Sequence, residues 1–148
     1  MADALIQNAI VESRQEAFAT MLHSRERYYV PTPATDPVTA VTLIRAAGGV
    51  PIIAHPATNR HGEVVPRDYF IELHAAGLAG FELGHRENLP KGVARLQAYV
   101  DQFDLIVTGS SDYHGTGKPN QPGENNTLPE MLVRIIEQGV GAEPVYPA

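Results

Sequence analysis

Histidine and carboxylate side chains follow three short apolar runs of this sequence, and their chemistry suits a metal ion. The runs are VPIIA at 50–54, GFELG at 80–84 and DLIVTG at 104–109. The polar side chains in or just after them are His55, Glu82, His85, Asp112 and His114. Imidazole and carboxylate groups are ligands that suit zinc, manganese and iron. The segment VTGSSDYHGTGK at 107–118 therefore has three explanations: a metal site, a nucleotide-binding loop, or a turn that holds polar residues.

Each of these residues also has a plain structural explanation. Asp112 can form a local turn with its own backbone, and a histidine before a proline is often an ordinary loop residue. Glu82 within an apolar strand indicates an edge position or an arginine partner, because an unpaired buried carboxylate is costly. The proline after His55 predicts an extended backbone that fixes the direction of that side chain. If the backbone is also extended at Asp112, side chains alternate and Asp112 points the same way as His114. Convergence of His55, Asp112 and His114 on one rim is what favours the metal site.

The residues themselves argue against a nucleotide-binding loop. The GTGK segment ending at Lys118 resembles the end of a phosphate loop. However, Asp112 stands where that motif requires glycine, and Pro119 stands where it requires serine or threonine. Ser110 and Ser111 lack the second glycine of a nucleophile elbow, which makes them poor candidates for a serine hydrolase. The histidines that are assigned no functional role are His23, His61 and His74.

The composition indicates one globular domain. The chain has 148 residues, no cysteine and a formal net charge of −6. A chain of this length buries about 68–70% of the surface that its unfolded form exposes, so it needs no disulfides. The acidic balance argues against a nonspecific nucleic-acid or membrane surface, although local cations or metals can still attract an anionic substrate. With no apolar run of about 20 residues and no signal-peptide pattern, we expect a soluble, cytoplasmic protein that binds no membrane.

Helix and strand patterns alternate after residue 35, which predicts parallel β-α-β units. Helices are expected to begin at Asp36-Pro37, Pro66, Pro90 and Thr127, the last with the spacing of a capping box in TLPE. The segment 1–30 predicts one amphipathic helix with no strand beside it. Because a sheet of three parallel strands has two open edges, we expect the chain to be part of something larger.

Three segments together resemble the C-terminal half of the PHP (polymerase and histidinol phosphatase) family, in its group of stand-alone metal-dependent phosphoesterases. They are GGVPIIAHP at 48–56, GLAGFELGHRENLP at 77–90 and VTGSSDYHGTGKPNQPGENNTLPE at 107–130. The resemblance implies an α/β fold: the C-terminal part of a distorted (β/α)7 barrel, with about three parallel strands at 36–148. Residues 1–35 then correspond to a linker and the end of a helical insertion, which in relatives caps the active site and helps hold a nucleotide.

The resemblance also implies roles for individual residues. His55 of AHP and Asp112 and His114 of SDYHG correspond to metal ligands, and the implied cofactors are divalent ions such as Mn, Zn, Fe or Mg. His85 corresponds to a position near the substrate phosphate and is the candidate catalytic residue. The candidates for binding the phosphate are His85, Arg86 and Lys118. A solvated surface cation is the alternative explanation of Arg86 and of Lys118.

One departure from the family pattern is large. The first strand of the family carries His-x-His and is followed by further Asp, His and Glu ligands, and this sequence contains none of them. We therefore expect the N-terminal half of the barrel to be missing, so that the chain is a fragment or a truncated homologue. Half a barrel exposes the apolar inner faces of its strands, which predicts self-association or movement of residues 1–35 across the gap.

The implied function is hydrolysis of a phosphate ester by metal-activated water in the full-length protein. The substrate is then a nucleotide or another small phosphorylated molecule, and the chain alone is expected to be inactive. Two alternatives stay open: a noncatalytic metal- or nucleotide-binding module, and a metal-dependent hydrolase of a non-phosphate bond such as an amide. The sequence names neither the substrate nor the metal.

Overall fold

The chain divides into two compact units, Met1–Thr35 and Asp36–Ala148. The computed structural model describes residues 1–31, 33–58 and 65–146. His61, to which the sequence assigns no functional role, lies outside these residues. Within the described ranges, no helix is both long enough and apolar enough to cross a bilayer.

The first unit contains two short helices where the sequence predicts one. They are α1 (Ala2–Gln7) and α2 (Arg14–Thr20). The hydroxyl of Ser13 accepts the backbone N–H of Glu16 at 3.1 Å and so begins α2. Arg14 then forms an ion pair with Asp3 of α1 at 2.7 Å. The prediction of one continuous helix is wrong because the side chain of Ser13 competes with helical hydrogen bonding and favours a new N-terminus.

The second unit alternates helices and strands in the predicted order. Its elements are α3 (Pro37–Ala46), β1 (Ile52–Ile53), α4 (Arg67–Ala75), β2 (Gly80–Gly84), α5 (Pro90–Phe103), β3 (Ile106–Gly109), a 3₁₀ turn (Gly115–Gly117) and α6 (Pro129–Gln138). The predicted start of α3 is confirmed, because the Asp36 carboxylate accepts the Thr39 N–H at 2.9 Å. The strand β1 is shorter than its apolar run, with only two residues in the ladder.

The three strands form one parallel sheet in the order β1-β2-β3, with β2 in the middle. Ile53 pairs with Phe81, and Glu82 pairs with Thr108. The register shifts between Glu82 and Gly84, where β2 and β3 end. Because parallel strands run in the same direction, the residues that follow them lie at one end of the sheet, the end at which the strands have their carboxyl termini. The sheet confirms the predicted α/β class with three parallel strands and intervening helices.

An aromatic cluster joins the sheet to α4 and α5. Phe70 and Phe81 are fully buried, and their ring centroids lie 5.9 Å apart. Phe70 also stacks on Tyr99 with centroids at 4.3 Å. The ring of His74 lies 4.9 Å from that of Phe103, so His74 packs at the edge of this cluster. Aromatic pairs contribute about 0.5–1.5 kcal/mol each beyond the area they bury, which helps to fix the strands whose ends carry the polar residues.

The prediction of a capping box at the start of α6 is wrong. The helix begins after Leu128 with no side-chain cap. The Thr127 hydroxyl instead accepts the Gly109 N–H and donates to the Gly109 carbonyl, both at 3.2 Å. The strand β3 lies at an edge of the sheet, so its outward backbone groups need partners and compete for this hydroxyl. A side chain at Gly109 would clash, because its Cβ would lie 2.7 Å from the Asn126 carbonyl oxygen.

Candidate functional site

His55 follows β1 in a left-handed backbone conformation, with φ of 33°. The prediction of an extended backbone before Pro56 is therefore wrong. Two hydrogen bonds, one tertiary and one local, hold His55 against its preference for an extended backbone. The Glu82 carboxylate accepts the His55 N–H at 2.9 Å, and the His55 carbonyl accepts the Thr58 N–H at 3.4 Å. Sparsely populated backbone conformations of this kind are concentrated at functional sites.

Glu82 lies in the central strand and is only 9% exposed. It is neither at a sheet edge nor, within the described ranges, paired with an arginine, so both structural explanations offered for it are wrong. Its Oε2 accepts the His55 N–H at 2.9 Å, and its Oε1 accepts the Ser110 hydroxyl at 2.6 Å. The carboxylate thus joins the end of β1 to the end of β3 across β2.

Asp112 follows β3 and also has a left-handed conformation, with φ of 51°. The extended geometry that would align it with His114 by alternation is therefore not present. Its carboxylate accepts a hydrogen bond from the Lys118 amine and lies 3.7 Å from His85 Nε2 and 3.4 Å from His114 Nδ1. The hydrogen bond from Lys118 is the main cause that lowers the pKa of Asp112 below its ordinary value. Desolvation opposes it, and the charges of Lys118, His114 and His85 assist it.

The tautomer of His114 follows from its contact with the backbone. Its Nδ1 lies 2.6 Å from the Asp112 carbonyl oxygen. A carbonyl oxygen only accepts, so Nδ1 carries the hydrogen and a neutral ring has its lone pair on Nε2. Metal-binding histidines are commonly oriented in this way, with one ring nitrogen donating to a carbonyl and the other free for the metal. A neutral His114 ring, which is half-exposed, therefore has the lone pair of Nε2 available for a cation.

The opposite tautomer is favoured at His85. Its side chain is fully buried, and its Nδ1 accepts the Glu87 N–H at 3.2 Å. Since a backbone N–H only donates, a neutral His85 ring carries its hydrogen on Nε2. That nitrogen makes no hydrogen bond within the described ranges, although Asp112 Oδ2 lies 3.7 Å away. Its ring centroid is 5.0 Å from that of His55. A neutral His85 ring can thus donate a hydrogen bond from Nε2 to an anion.

The two candidate phosphate-binding cations are held in ion pairs. Arg86 Nε lies 3.1 Å from Glu124 Oε1, and the Lys118 amine contacts the Asp112 carboxylate. The Lys118 side chain is partly buried and paired with a carboxylate, which argues against the alternative of a solvated surface cation. Both cations lie in the loops that follow β2 and β3.

Two asparagines that the sequence analysis did not single out hold the loop backbones at the carboxyl ends of the strands. Asn88 accepts the Ala57 N–H at 2.9 Å and donates to the carbonyls of Glu82 and the next residue at 2.9 and 3.0 Å. Asn120 is 1% exposed and donates to the Ser111 carbonyl at 2.6 Å. The only sequence signal for either is an asparagine in a loop, which is equally typical of an ordinary turn.

The chemistry of the donors fits a divalent cation, but their present arrangement is not a closed metal site. Within the part of the chain that the structure describes, no group of three His, Asp or Glu side chains is gathered closely enough to hold an ion. A cation at Asp112 Oδ2 would compete with the Lys118 amine for this oxygen. The assignment of His55, Asp112 and His114 as ligands stays a prediction. All three residues follow strands and lie at the carboxyl end of the sheet.

This arrangement is that of an α/β protein with polar side chains after the carboxyl ends of its parallel strands, which is where such folds carry their functional sites. A solved structure from Bifidobacterium adolescentis, provisionally named a metal-dependent phosphoesterase, is similar to it with a TM-score of 0.84 and 37% sequence identity. The match covers 95% of this chain and 49% of that protein. No protein-family profile matches the chain.

Two curated relatives are similar over nearly the whole chain. A 5'-3' exoribonuclease of Haemophilus influenzae is 29% identical over 135 residues, which are 90% of this chain and 49% of the relative. A 3',5'-nucleoside bisphosphate phosphatase of Chromobacterium violaceum is 25% identical over 145 residues, 97% of this chain and 50% of the relative. The chain thus spans about half the length of these relatives. Together with the solved structure, they confirm the predicted resemblance to metal-dependent phosphoesterases of the PHP type.

Proposed function

We propose that this chain is a portion of a metal-dependent phosphoesterase and supplies one side of its active site. The observation that carries the proposal is the pair of histidines at the strand ends, whose local contacts favour opposite tautomers. His114 is prepared to bind a cation and His85 to donate to an anion, with the ionised carboxylate of Asp112 close to both. A phosphate ester and its metal ion need these two kinds of group side by side.

The metal side of the site is assigned to His55, Asp112 and His114. When bound, a divalent cation in such a site stabilises the phosphoryl oxygens as a Lewis acid and acidifies a water molecule for attack on phosphorus. Asp112 contributes a carboxylate, and its hydrogen bond with Lys118 lowers its pKa further below an ordinary value at which it is already ionised at neutral pH. His114 contributes the lone pair of Nε2. Manganese, zinc, iron and magnesium are the candidate ions.

The phosphate side of the site is assigned to His85, with Arg86 and Lys118 as further candidates. The geometry favours His85 as a hydrogen-bond donor to a phosphoryl oxygen rather than as the acid that protonates the leaving oxygen. An acid would need hydrogens on both ring nitrogens, and His85 Nδ1 already accepts the Glu87 N–H. Displacement of Lys118 from Asp112 by a cation would leave its amine available for the substrate phosphate.

The substrate class proposed is a phosphate ester of a nucleotide or of a related small molecule. The names of the relatives support it, since one acts on nucleoside bisphosphates and another is an exoribonuclease. These names belong to longer proteins, so the activity proposed is that of this chain joined to an N-terminal half of the barrel that supplies the remaining ligands.

A phosphate-release assay tests this function. The chain joined to an N-terminal half of the barrel is given a nucleoside bisphosphate or a sugar phosphate, with phosphate release measured, and a short RNA, with nucleotide release measured, and Mn²⁺, Zn²⁺ or Mg²⁺ is supplied in turn. We expect metal-dependent release from a nucleotide substrate and a loss of at least about 100-fold in His85→Ala, in keeping with the usual contribution of a positioned donor. His74→Ala is the control, because His74 packs against Phe103 away from the strand ends. Cleavage of an amide but of no phosphate ester would contradict the proposal.

A noncatalytic metal- or nucleotide-binding module is the second candidate. It is favoured by the lack of three gathered ligands within the described ranges. Calorimetry that detects nucleotide binding by the joined protein, without turnover under any of the metals, would decide for this alternative.

The proposal of a partner segment also predicts association of the isolated chain. Apolar side chains of α3 and α6 are exposed, namely Leu43, Ile44, Leu132 and Val133. The edge strand β1, with α3 and α4, also lines an apolar groove of about 190 Å³. Exposed apolar surface of this kind tends to be covered by a partner. Static light scattering is expected to show dimers or larger species, unless residues 1–35 move to cover this surface, and a stable compact monomer with the surface uncovered would contradict both expectations.

A further inference from the structure

Glu82 is a buried carboxylate that the proposed mechanism does not use. It lies in the middle of an otherwise apolar strand and is 9% exposed. Within the described ranges, no lysine or arginine forms an ion pair with it. A buried carboxylate is costly unless its oxygens are hydrogen-bonded, so its presence in this position calls for a specific function.

Both carboxylate oxygens of Glu82 are bonded, and both donors belong to the loops that carry proposed metal ligands. The His55 N–H donates to Oε2 at 2.9 Å. The Ser110 hydroxyl, two residues before Asp112, donates to Oε1 at 2.6 Å, a length typical of a bond to a carboxylate anion. A single side chain therefore sets the separation between the loop after β1 and the loop after β3.

The residue that Glu82 holds is in an unfavourable conformation. His55 has φ of 33° and precedes a proline, so neither its own preference nor its neighbour's favours this geometry. Such conformations persist only where the surrounding structure fixes them. The hydrogen bond from the His55 N–H to Glu82 is one of the contacts that fix it.

We propose that Glu82 is a positioning residue that holds the His55 and Asp112 sides of the metal site at the spacing a divalent cation requires. The inference rests on the proposed function, because it assumes that these residues bind a metal. Glu82 would position the metal ligands through its hydrogen bonds with His55 and Ser110. In other metal sites, carboxylates that do not bind the metal orient its ligands in the same way. Its negative charge at the strand ends also favours a cation there.

Glu82→Gln is the variant that tests the proposal. Glutamine has the same shape, its oxygen can still accept the His55 N–H, and the Ser110 hydroxyl can rotate to accept from its amide. The fold is therefore retained while the charge is lost. We expect Zn²⁺ binding by the full chain, measured by calorimetry, to weaken by about 10–100-fold. The matched control Glu72→Gln makes the same change at an exposed position of α4, and its affinity should stay within about twofold of the wild type.

Ring ¹⁵N shifts distinguish positioning from a merely structural effect. In the wild type, Zn²⁺ is expected to shift the ring nitrogens of both His55 and His114. In Glu82→Gln the His55 N–H bonds to a neutral amide oxygen, a bond about half as strong as one to a carboxylate, so the response of His55 should be reduced while that of His114 persists at high Zn²⁺. General destabilisation would reduce both responses together. If Glu82→Gln does not fold, Ser110→Ala replaces it, because it removes the bond on the Asp112 side and keeps both the charge and the bond to His55. Its Zn²⁺ affinity should fall by about 10-fold, and an unchanged affinity would contradict the proposal.

Two results would overturn the proposal, and they have different meanings. Unchanged Zn²⁺ affinity and unchanged His55 shifts in Glu82→Gln, with binding lost in His114→Ala, would remove the role of Glu82 and leave the proposed metal site intact. A wild-type chain whose His55 and His114 rings do not respond to Zn²⁺ at all would remove the metal site itself and the role of Glu82 with it.

Discussion

Replacing Asp112 with asparagine is expected to weaken Zn²⁺ binding by this chain by at least about 100-fold. Losing a residue that only orients a ligand usually weakens metal binding by about 10–100-fold, and losing a charged ligand should do more. The Asp112 carboxylate contacts the Lys118 amine and lies 3.7 Å from His85 Nε2 and 3.4 Å from His114 Nδ1, so it is the anion around which one cation and two imidazole rings gather. A neutral amide keeps the shape of the side chain but not this charge. Calorimetric titration of the two proteins measures the difference.

Asp104→Asn is a closely matched control for this substitution. Asp104 also has φ of 51°, and its carboxylate pairs with the Arg134 guanidinium at 3.0 Å. It precedes β3, whereas Asp112 follows it, so the two aspartates lie at opposite ends of the same strand. Zn²⁺ affinity should change by less than about twofold in Asp104→Asn. Equal losses in both variants would mean that net charge or stability, and not a ligand, explains the effect at Asp112.

The chain alone is expected to release phosphate at least about 1000-fold more slowly than the chain joined to an N-terminal half of the proposed barrel. Two-metal phosphoryl transfer needs ions roughly 3.5–4 Å apart that bridge the attacking and leaving oxygens. The three residues assigned as ligands here can hold at most one or two incompletely coordinated ions, and within the described ranges no three such side chains are gathered. The main contribution of a protein to this chemistry is a preorganised set of charges and dipoles around the phosphate. Ligands on only one side of the active site do not provide such a set.

The assay compares phosphate release from nucleotide and sugar phosphates by the two proteins at equal concentration, with each metal in turn. Asp112→Asn of the joined protein is the inactive reference. A turnover rate for the isolated chain close to that of the joined protein, and abolished by Asp112→Asn, would contradict this account of where the site resides.

The fold could be predicted from the sequence where local signals agree with the tertiary structure. The apolar run GFELG is β2 from end to end, because a central strand buries both of its faces. Asp36 and Pro37 begin α3 because an N-cap carboxylate and a proline in the first turn need no help from distant residues. The helix that begins at Pro90 is also confirmed, with proline in its first turn but no side-chain cap.

Local signals failed where a distant partner competes for the same group. Thr127 has the spacing of a helix cap, but the edge of β3 uses its hydroxyl instead. Pro56 favours an extended His55, but the Glu82 carboxylate holds the His55 N–H from another strand. Neither competitor is visible in the sequence around the residue it affects.

The candidate site was predictable in its residue types and not in its contacts. Motifs identified His55, Asp112 and His114 as candidate metal ligands, and all three follow strands at the carboxyl end of the sheet. The favoured tautomers of His85 and His114 depend on single backbone contacts, which no pattern of residue types specifies. The positions of Asn88 and Glu82 as connectors between loops likewise depend on the fold.

The most direct test of the proposed metal site is anomalous scattering from crystals of this chain soaked in Zn²⁺. The expected result is a peak at the carboxyl ends of the strands, about 2.0–2.2 Å from an Asp112 oxygen and from His114 Nε2, with the Lys118 amine displaced. The His55 ring should face the same ion or a second one beside it. A zinc peak elsewhere on the protein, with the Lys118–Asp112 ion pair intact, would contradict the metal site and the phosphoesterase function built on it.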